Sequence, residues 1–210
     1  MLYQKRHKFR LIPDWEKQFS VWFSWPVRSD IWTESLDLIK IQLVKLYQIC
    51  SKFQKVCVIC PNREKNTLIS KLKDYGDMKN IELYNYETDD IWIRDYGPIF
   101  LKSNKDNSLL MTNWKFNAWG GKFENYSKDD SFNDWFSKVI GIEKKSYDFV
   151  LEGGAIESNG DGILATTKSV IENRNRILKK DKIDWDSILK KEFYLDNIIW
   201  FDKGLEGDDT

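Results

Sequence analysis

Apolar and polar positions follow two rhythms along this chain, one with a period near two and one nearer three and a half. Phe19–Trp25, Lys55–Cys60 and Ile81–Tyr86 read as strands, the first two closed by Pro26 and Pro61. Between the first two, Trp32, Leu36, Ile39, Leu43, Leu46 and Cys50 recur at helical steps. That spacing predicts a helix over Ile31–Ser51 with those six residues on its inner face. Asn62 is placed to cap a second helix, with Leu68, Ile69 and Leu72 turned inward. Ile99–Leu101 and Leu109–Phe116 then form a strand pair around the polar loop Ser103–Ser108. Asp130 or Ser131 caps a helix whose Phe132, Trp135, Phe136 and Val139 face the core. Tyr147–Leu151 is a strand, and Ala155–Ser158 with Gly162–Thr166 reads as a hairpin about Asn159-Gly160-Asp161. Asp184 caps a helix to Phe193, and Asn197–Phe201 is a last strand. Strands alternating with helices from end to end predict an α/β fold.

Composition narrows the function classes. A chain of 210 residues suits one large domain or two small ones. Thirty-three basic residues balance 33 acidic ones, which removes the simplest case for nucleic-acid binding, a strong positive field that releases counterions, and leaves a local basic patch open. No apolar run approaches the roughly 18–20 residues that span a bilayer. The basic start Met1–Arg10 lacks the following apolar stretch of a secretory signal. No nucleic acid and no membrane partner are therefore expected, and a cytoplasmic location is. Cys50, Cys57 and Cys60 are too few for a disulfide scaffold. Cys57 and Cys60 have the spacing of a metal-binding pair, but no second pair follows and the only histidine is His7. They read as thiols of a buried strand. His7, inside the basic run Gln4–Lys8, reads as a solvated tail residue.

Three segments combine strand ends with carboxylates, aromatics and glycines. In Asp89–Pro98, a carboxylate beside an indole suits a planar cation: the acid accepts two parallel N–H bonds and the ring takes the π face. An ion pair between Arg94 and one of the aspartates, in a surface loop, accounts for the same composition equally well. In Asn117–Lys122, the Gly120-Gly121 pair permits close backbone approach to a ligand; alone, it reads more simply as a turn. In Leu151–Gly160, Glu152 stands at the mouth of a buried strand, where a carboxylate is costly unless a cationic or protonated group meets it.

Taken in order, these segments resemble a known family. Pro13-Asp14-Trp15-Glu16 and Trp22–Pro26 come first, then Asp90–Pro98, Phe116–Lys122, Leu151–Glu157 and Asn173-Arg174-Asn175-Arg176. The chain resembles the N-terminal portion of the agmatine deiminases and bacterial-type peptidyl-arginine deiminases of the guanidine-modifying (pentein) superfamily. The resemblance implies an α/β-propeller of five ββαβ-like units, about three of which this chain would supply as a single, C-terminally truncated deiminase domain spanning 1–210. It implies hydrolysis of a guanidinium group through a cysteine thiolate, with no metal or organic cofactor. Agmatine would give N-carbamoylputrescine and ammonia, a step toward putrescine and the polyamines.

By the same resemblance, Asp95 grips the guanidinium nitrogens and Glu152 orients a catalytic histidine. Trp92 and Trp119 form aromatic walls, and Asp209 meets the far end of the substrate. The family's histidine and nucleophilic cysteine fall in motifs beyond Thr210, and none of the three cysteines present matches that nucleophile. The chain alone is expected to be inactive. The acidic stretch 206–209 favours agmatine, which carries a free amine, over peptidyl arginine as the small-molecule partner. A homo-oligomer of the complete protein and a non-catalytic guanidino-binding module are the remaining expectations.

Overall fold

A computed structural model describes residues 7–177 and 183–206. In chain order the strands and longer helices are β1 (Phe9–Leu11), β2 (Ser20–Ser24), α1 (Leu36–Cys50), β3 (Lys55–Ile59), α2 (Lys65–Tyr75) and β4 (Ile81–Tyr84). They continue with β5 (Ile99–Ser103), β6 (Leu109–Lys115), α3 (Phe132–Ile140), β7 (Lys144–Val150), β8 (Ile156–Ser158), β9 (Ile163–Thr167), α4 (Trp185–Phe193) and β10 (Asn197–Phe201). The chain divides into two compact units, Lys17–Ile93 and a second made of residues 1–16 with Arg94–Thr210.

The Lys17–Ile93 unit is a parallel sheet in the order β2-β3-β4. Successive parallel strands laid down in one direction, joined by right-handed crossovers, put both helices on the same face. Accordingly Val44 and Tyr47 of α1 and Leu68 and Leu72 of α2 pack with Val56, Val58, Cys60 and Ile81. Cys57 faces the other way, as period-two alternation requires of a residue three positions from Cys60. The Cys-x-x-Cys pair is thus split across the sheet.

The helix foreseen over Ile31–Ser51 is broken. A turn Ser29–Trp32 passes through Thr33, held at φ 43°, before α1 begins at Leu36. Its buried side chains are Lys40, Val44 and Tyr47, and Leu46 is 40% exposed. The buried face is turned by about a quarter of a revolution from the expected stripe, at about 100° per residue. The reason is chemical: Tyr47 and the Lys40 stem bury apolar surface that a count of aliphatic positions passes over.

The second unit holds two sheets, β1-β5-β6-β7 and β8-β9-β10. They share one connection. β5 and β6 are antiparallel and β7 returns beside β6 in parallel through α3; β8, β9 and β10 do the same through α4. The repeat extends to the residues that precede it. Asp95 stands four positions before Ile99 and Glu152 four before Ile156, each with a glycine two positions on, Gly97 and Gly154. The core joins Leu101, Trp114, Leu164, Leu189, Phe193 and Ile198. In α3, Phe132, Asn133 and Phe136 are buried and Val139 is exposed, so the buried face includes Asn133 and not Val139; the Asn133 Nδ2 donates to the Tyr96 carbonyl at 3.0 Å.

β1 is a strand the hydrophobic pattern did not reveal. Phe9 and Leu11 flank Arg10, and the strand pairs antiparallel with β5, Leu11 opposite Leu101. Arg10 reaches Glu16 at 2.6 Å, which removes the charge that disguised the alternation. His7 is consequently not a solvated tail residue: its Nε2 lies 3.2 Å from Asp196 Oδ1, and its ring meets Tyr194 edge-on.

Candidate functional site

The site lies in the second unit, where three loops converge on Asp95. Asp95 sits in a single helical turn, Ile93–Tyr96. Its Oδ2 accepts from the Trp119 indole Nε1 at 3.2 Å and its Oδ1 from the Gly154 amide at 3.1 Å. A carboxylate offers about four acceptor positions, so these two bonds orient it and leave capacity for a ligand's N–H groups. Burial pushes the Asp95 carboxyl up to about 6; the Trp119 bond opposes this, and the nearby Glu152 charge reinforces it. A site of this kind gains most from an incoming cation.

Gly153 explains how the Glu152 loop comes so near. A Cβ there would stand 2.3 Å from the Arg94 carbonyl oxygen, so only glycine lets the two backbones pass and brings the Gly154 N–H onto Asp95. The double glycine is therefore a close approach between protein segments.

Trp119 is presented by a left-handed turn. Ala118, Trp119, Gly120 and Gly121 have φ of 54°, 55°, 84° and 84°. For the two non-glycine residues this conformation costs roughly 1–2 kcal/mol each. The turn is held by bonds from Gly121 N to Asn117 O and from Lys122 N to Ala118 O, at 2.8 and 2.9 Å. Asn117 Oδ1 also accepts from Gly120 N at 2.9 Å. Strain of this sort persists where the surroundings over-determine it, commonly at ligand clamps.

Glu152 is 1% exposed and meets its cation in Arg176, whose Nε donates to Oε1 at 2.8 Å. The Arg176 side chain is itself 5% exposed. The partner demanded by a buried acid is thus an arginine of the Asn173–Arg176 segment, which had no assigned role. The signal was available in principle: a buried carboxylate in a chain whose only histidine lies near the N-terminus must look to Lys or Arg. Arg94, for which an ion pair within its own loop was one reading, instead donates to both oxygens of Asp14, at 3.0 and 2.9 Å.

The structure brings Asp95, Trp119 and the Glu152 loop together. Trp92 belongs to the other unit, where its Nε1 donates to Asp90 Oδ2 at 3.0 Å and its ring stacks on Trp32, centroids 6.4 Å apart. Asp209 lies outside the described residues. Cys57 and Cys60 are buried and Cys50 is half-buried; burial raises all three thiols, Cys60 to about 12. Among the described residues no three His, Cys, Asp or Glu side chains gather as metal ligands would, and no helix is long and apolar enough to cross a membrane.

Comparison with known proteins gives a consistent picture. The family model of the Porphyromonas-type peptidyl-arginine deiminases matches residues 10–210. Agmatine deiminases of Pseudomonas aeruginosa and Pseudomonas syringae are 31% and 32% identical over 96% of this chain and 55% of their own length. The structure resembles a substrate-bound C. jejuni agmatine deiminase at 33% identity with a TM-score of 0.81, covering 94% of this chain and 57% of that one. The Enterococcus faecalis agmatine deiminase matches at 25% identity with a TM-score of 0.83, over 94% and 54%. The chain spans about half the length of the curated relatives it matches.

Proposed function

The chain belongs to the Porphyromonas-type peptidyl-arginine deiminase family, and on that footing we propose that it forms the cation-holding part of a hydrolase that acts on the guanidinium group of agmatine. The observation that carries this is the Asp95 carboxylate, oriented by the Trp119 indole and the Gly154 amide beside a second acid. The guanidinium fork donates two N–H groups to Asp95, and the Trp119 face forms a wall of the pocket. Glu152, held by Arg176, orients the proton-carrying group of the reaction. On this reading the two ββαβ units are blades of an α/β-propeller, and the matching positions of Asp95 and Glu152, four residues before β5 and β8, support a shared centre for the two acids.

Breaking a guanidinium C–N bond needs a nucleophile and a proton carrier. Thiols raised by burial supply little thiolate at neutral pH, and His7 is engaged with Asp196. The 210-residue chain therefore binds and orients agmatine without converting it.

Two measurements test this on the purified chain. A colorimetric assay for ureido product with agmatine is expected to stay at blank; product above blank shows that the chain carries its own nucleophile. Calorimetric titration with agmatine is expected to show binding at about pH 8 that weakens toward pH 5, as Asp95 takes up its proton, and that disappears in Asp95→Asn. Equal binding by wild type and Asp95→Asn removes the proposal.

A further inference from the structure

The segment Asn173–Arg176 touches both sides of the site without reaching Asp95. At one end Arg176 holds Glu152. At the other, the Asn175 carbonyl accepts from Asn117 Nδ2 at 2.8 Å, and Asn117 is the residue whose Oδ1 caps the left-handed turn carrying Trp119. Gly120 in that turn lies directly against Asn175: a Cβ on Gly120 would come within 2.7 Å of the Asn175 Cβ. The segment is stiff in its own right. Arg174–Arg176 forms a tight helical turn, with the Asn173 side chain accepting from Asn175 N at 3.0 Å and Arg176 N bonding to Asn173 O at 2.9 Å.

We propose that the Asn173–Arg176 turn is the positioning element for both walls of the Asp95 site, acting through Asn117 on Trp119 and through Arg176 on Glu152. A strained turn needs an outside anchor, because the left-handed geometry of Ala118 and Trp119 does not hold on local preference. A buried carboxylate likewise needs a partner that cannot swing away, and a planar guanidinium fixed in a short turn provides it. Placing both anchors in four consecutive residues couples the walls, so that displacing one moves the other. Asn117 and Arg176 are positioning residues in this scheme, and neither touches the bound cation. The proposal rests on the agmatine reading only for the identity of that cation.

The test follows the Trp119 indole N–H in a proton–nitrogen correlation spectrum of the full chain, assigned with Trp119→Phe, before and after adding agmatine. Asn117→Asp keeps the acceptor for Gly120 N–H and removes the donor to Asn175, so the turn keeps its own cap and loses its anchor. The Trp119 signal is expected to shift without ligand, and agmatine affinity to fall about tenfold, on the scale of one lost hydrogen bond. Arg176→Met is expected to move the same Trp119 signal, although Arg176 bonds to Glu152, and Arg176→Lys to bring it part of the way back. If Arg176→Met fails to fold, Asn117→Asp and Arg176→Lys decide the matter. A Trp119 signal unmoved in both of those folded variants overturns the proposal, even if their melting temperatures drop, because a merely stabilising role changes the melting temperature alone. Should the wild type take up no agmatine, the cation reading fails, and the unliganded indole signal still decides whether the turn positions Trp119.

Discussion

Each compact unit holds an aspartate gripped by indole N–H groups, and the two differ in the charge beside them. In the Lys17–Ile93 unit, Asp90 accepts from Trp32 Nε1 at 3.1 Å, from Trp92 Nε1 at 3.0 Å and from Ile91 N at 2.8 Å. In the other unit, Asp95 accepts from one indole and one backbone amide. Burial raises both carboxyls. The charged neighbour that acts on Asp90 is a cation, Arg28, and on Asp95 it is foremost an anion, Glu152, with Arg94 a weaker opposing influence. Around Asp90, Arg28 is shared with Asp30, to which it donates, and with Asp89. Around Asp95, the Glu152 charge reinforces the rise, although Glu152 is itself paired with Arg176. Under the proposed function only the Asp95 arrangement is a binding site, and the charged influence on it is foremost an anion, where on Asp90 it is a cation.

The comparison breaks most sharply at Gly153. Gly153→Ala forces a Cβ onto the Arg94 carbonyl, with an expected loss of roughly 3 kcal/mol. Denaturant unfolding checks this; a loss under about 0.5 kcal/mol shows that the loops part easily and that the Gly154 contact does not define the site.

Next is the pH dependence of Asp95. Burial raises its pKa on folding from the ordinary carboxylate value of 3.8 to about 6, so the folded state keeps a proton that the unfolded state has released. Stability from this group is fully present below about pH 4 and is lost as pH rises through about 6, a span of about 2–3 kcal/mol. Asp95→Asn is expected to lack that decline, so the two unfolding curves converge as the wild type is acidified and separate toward neutral pH. Parallel pH profiles sink the claim that Asp95 is the strained acid.

A smaller effect is expected at Asp90. Asp90→Asn leaves two indole donors and a backbone amide competing for one carbonyl oxygen, at a cost of about 1–2 kcal/mol. Under the proposed function, agmatine is expected to raise the melting temperature of this variant as much as that of wild type. Loss of that rise in Asp90→Asn removes the distinction between the two aspartates.

Smallest is Arg94→Lys. A single nitrogen, Nη1, makes both bonds to Asp14 and both side chains are about half exposed, so the expected change is below about 1 kcal/mol. A larger loss in thermal unfolding gives the Arg94 turn a structural role beyond this ion pair.

Much of this was legible in the chain itself. The strand pair β5–β6, the hairpin β8–β9 and the helices α3 and α4 follow from local periodicity, and Asp184 caps α4 as expected whereas Ser131 makes no side-chain cap to α3. The segments that hold Asp95, Trp119 and Glu152 stand out because acids, indoles and paired glycines fall together at strand ends, while the roles expected of the three residues came from the family resemblance. β1 was hidden because three residues beside basic neighbours give too short a pattern to read. The inner face of α1 was misplaced because burial of a lysine stem and a tyrosine is settled by what packs against them.

The sequence by itself determined which segments become strands and helices, and it supplied an acid, an indole and glycines at the points where strands end. Only the tertiary structure decided the partners: Glu152 with Arg176, Arg94 with Asp14, and the Asn173–Arg176 turn with both walls of the site. The physical reason is range. Backbone preference and amphipathic spacing are written within one or two helical turns, whereas these partners are 24 to 80 positions apart and meet only when the chain has closed on itself.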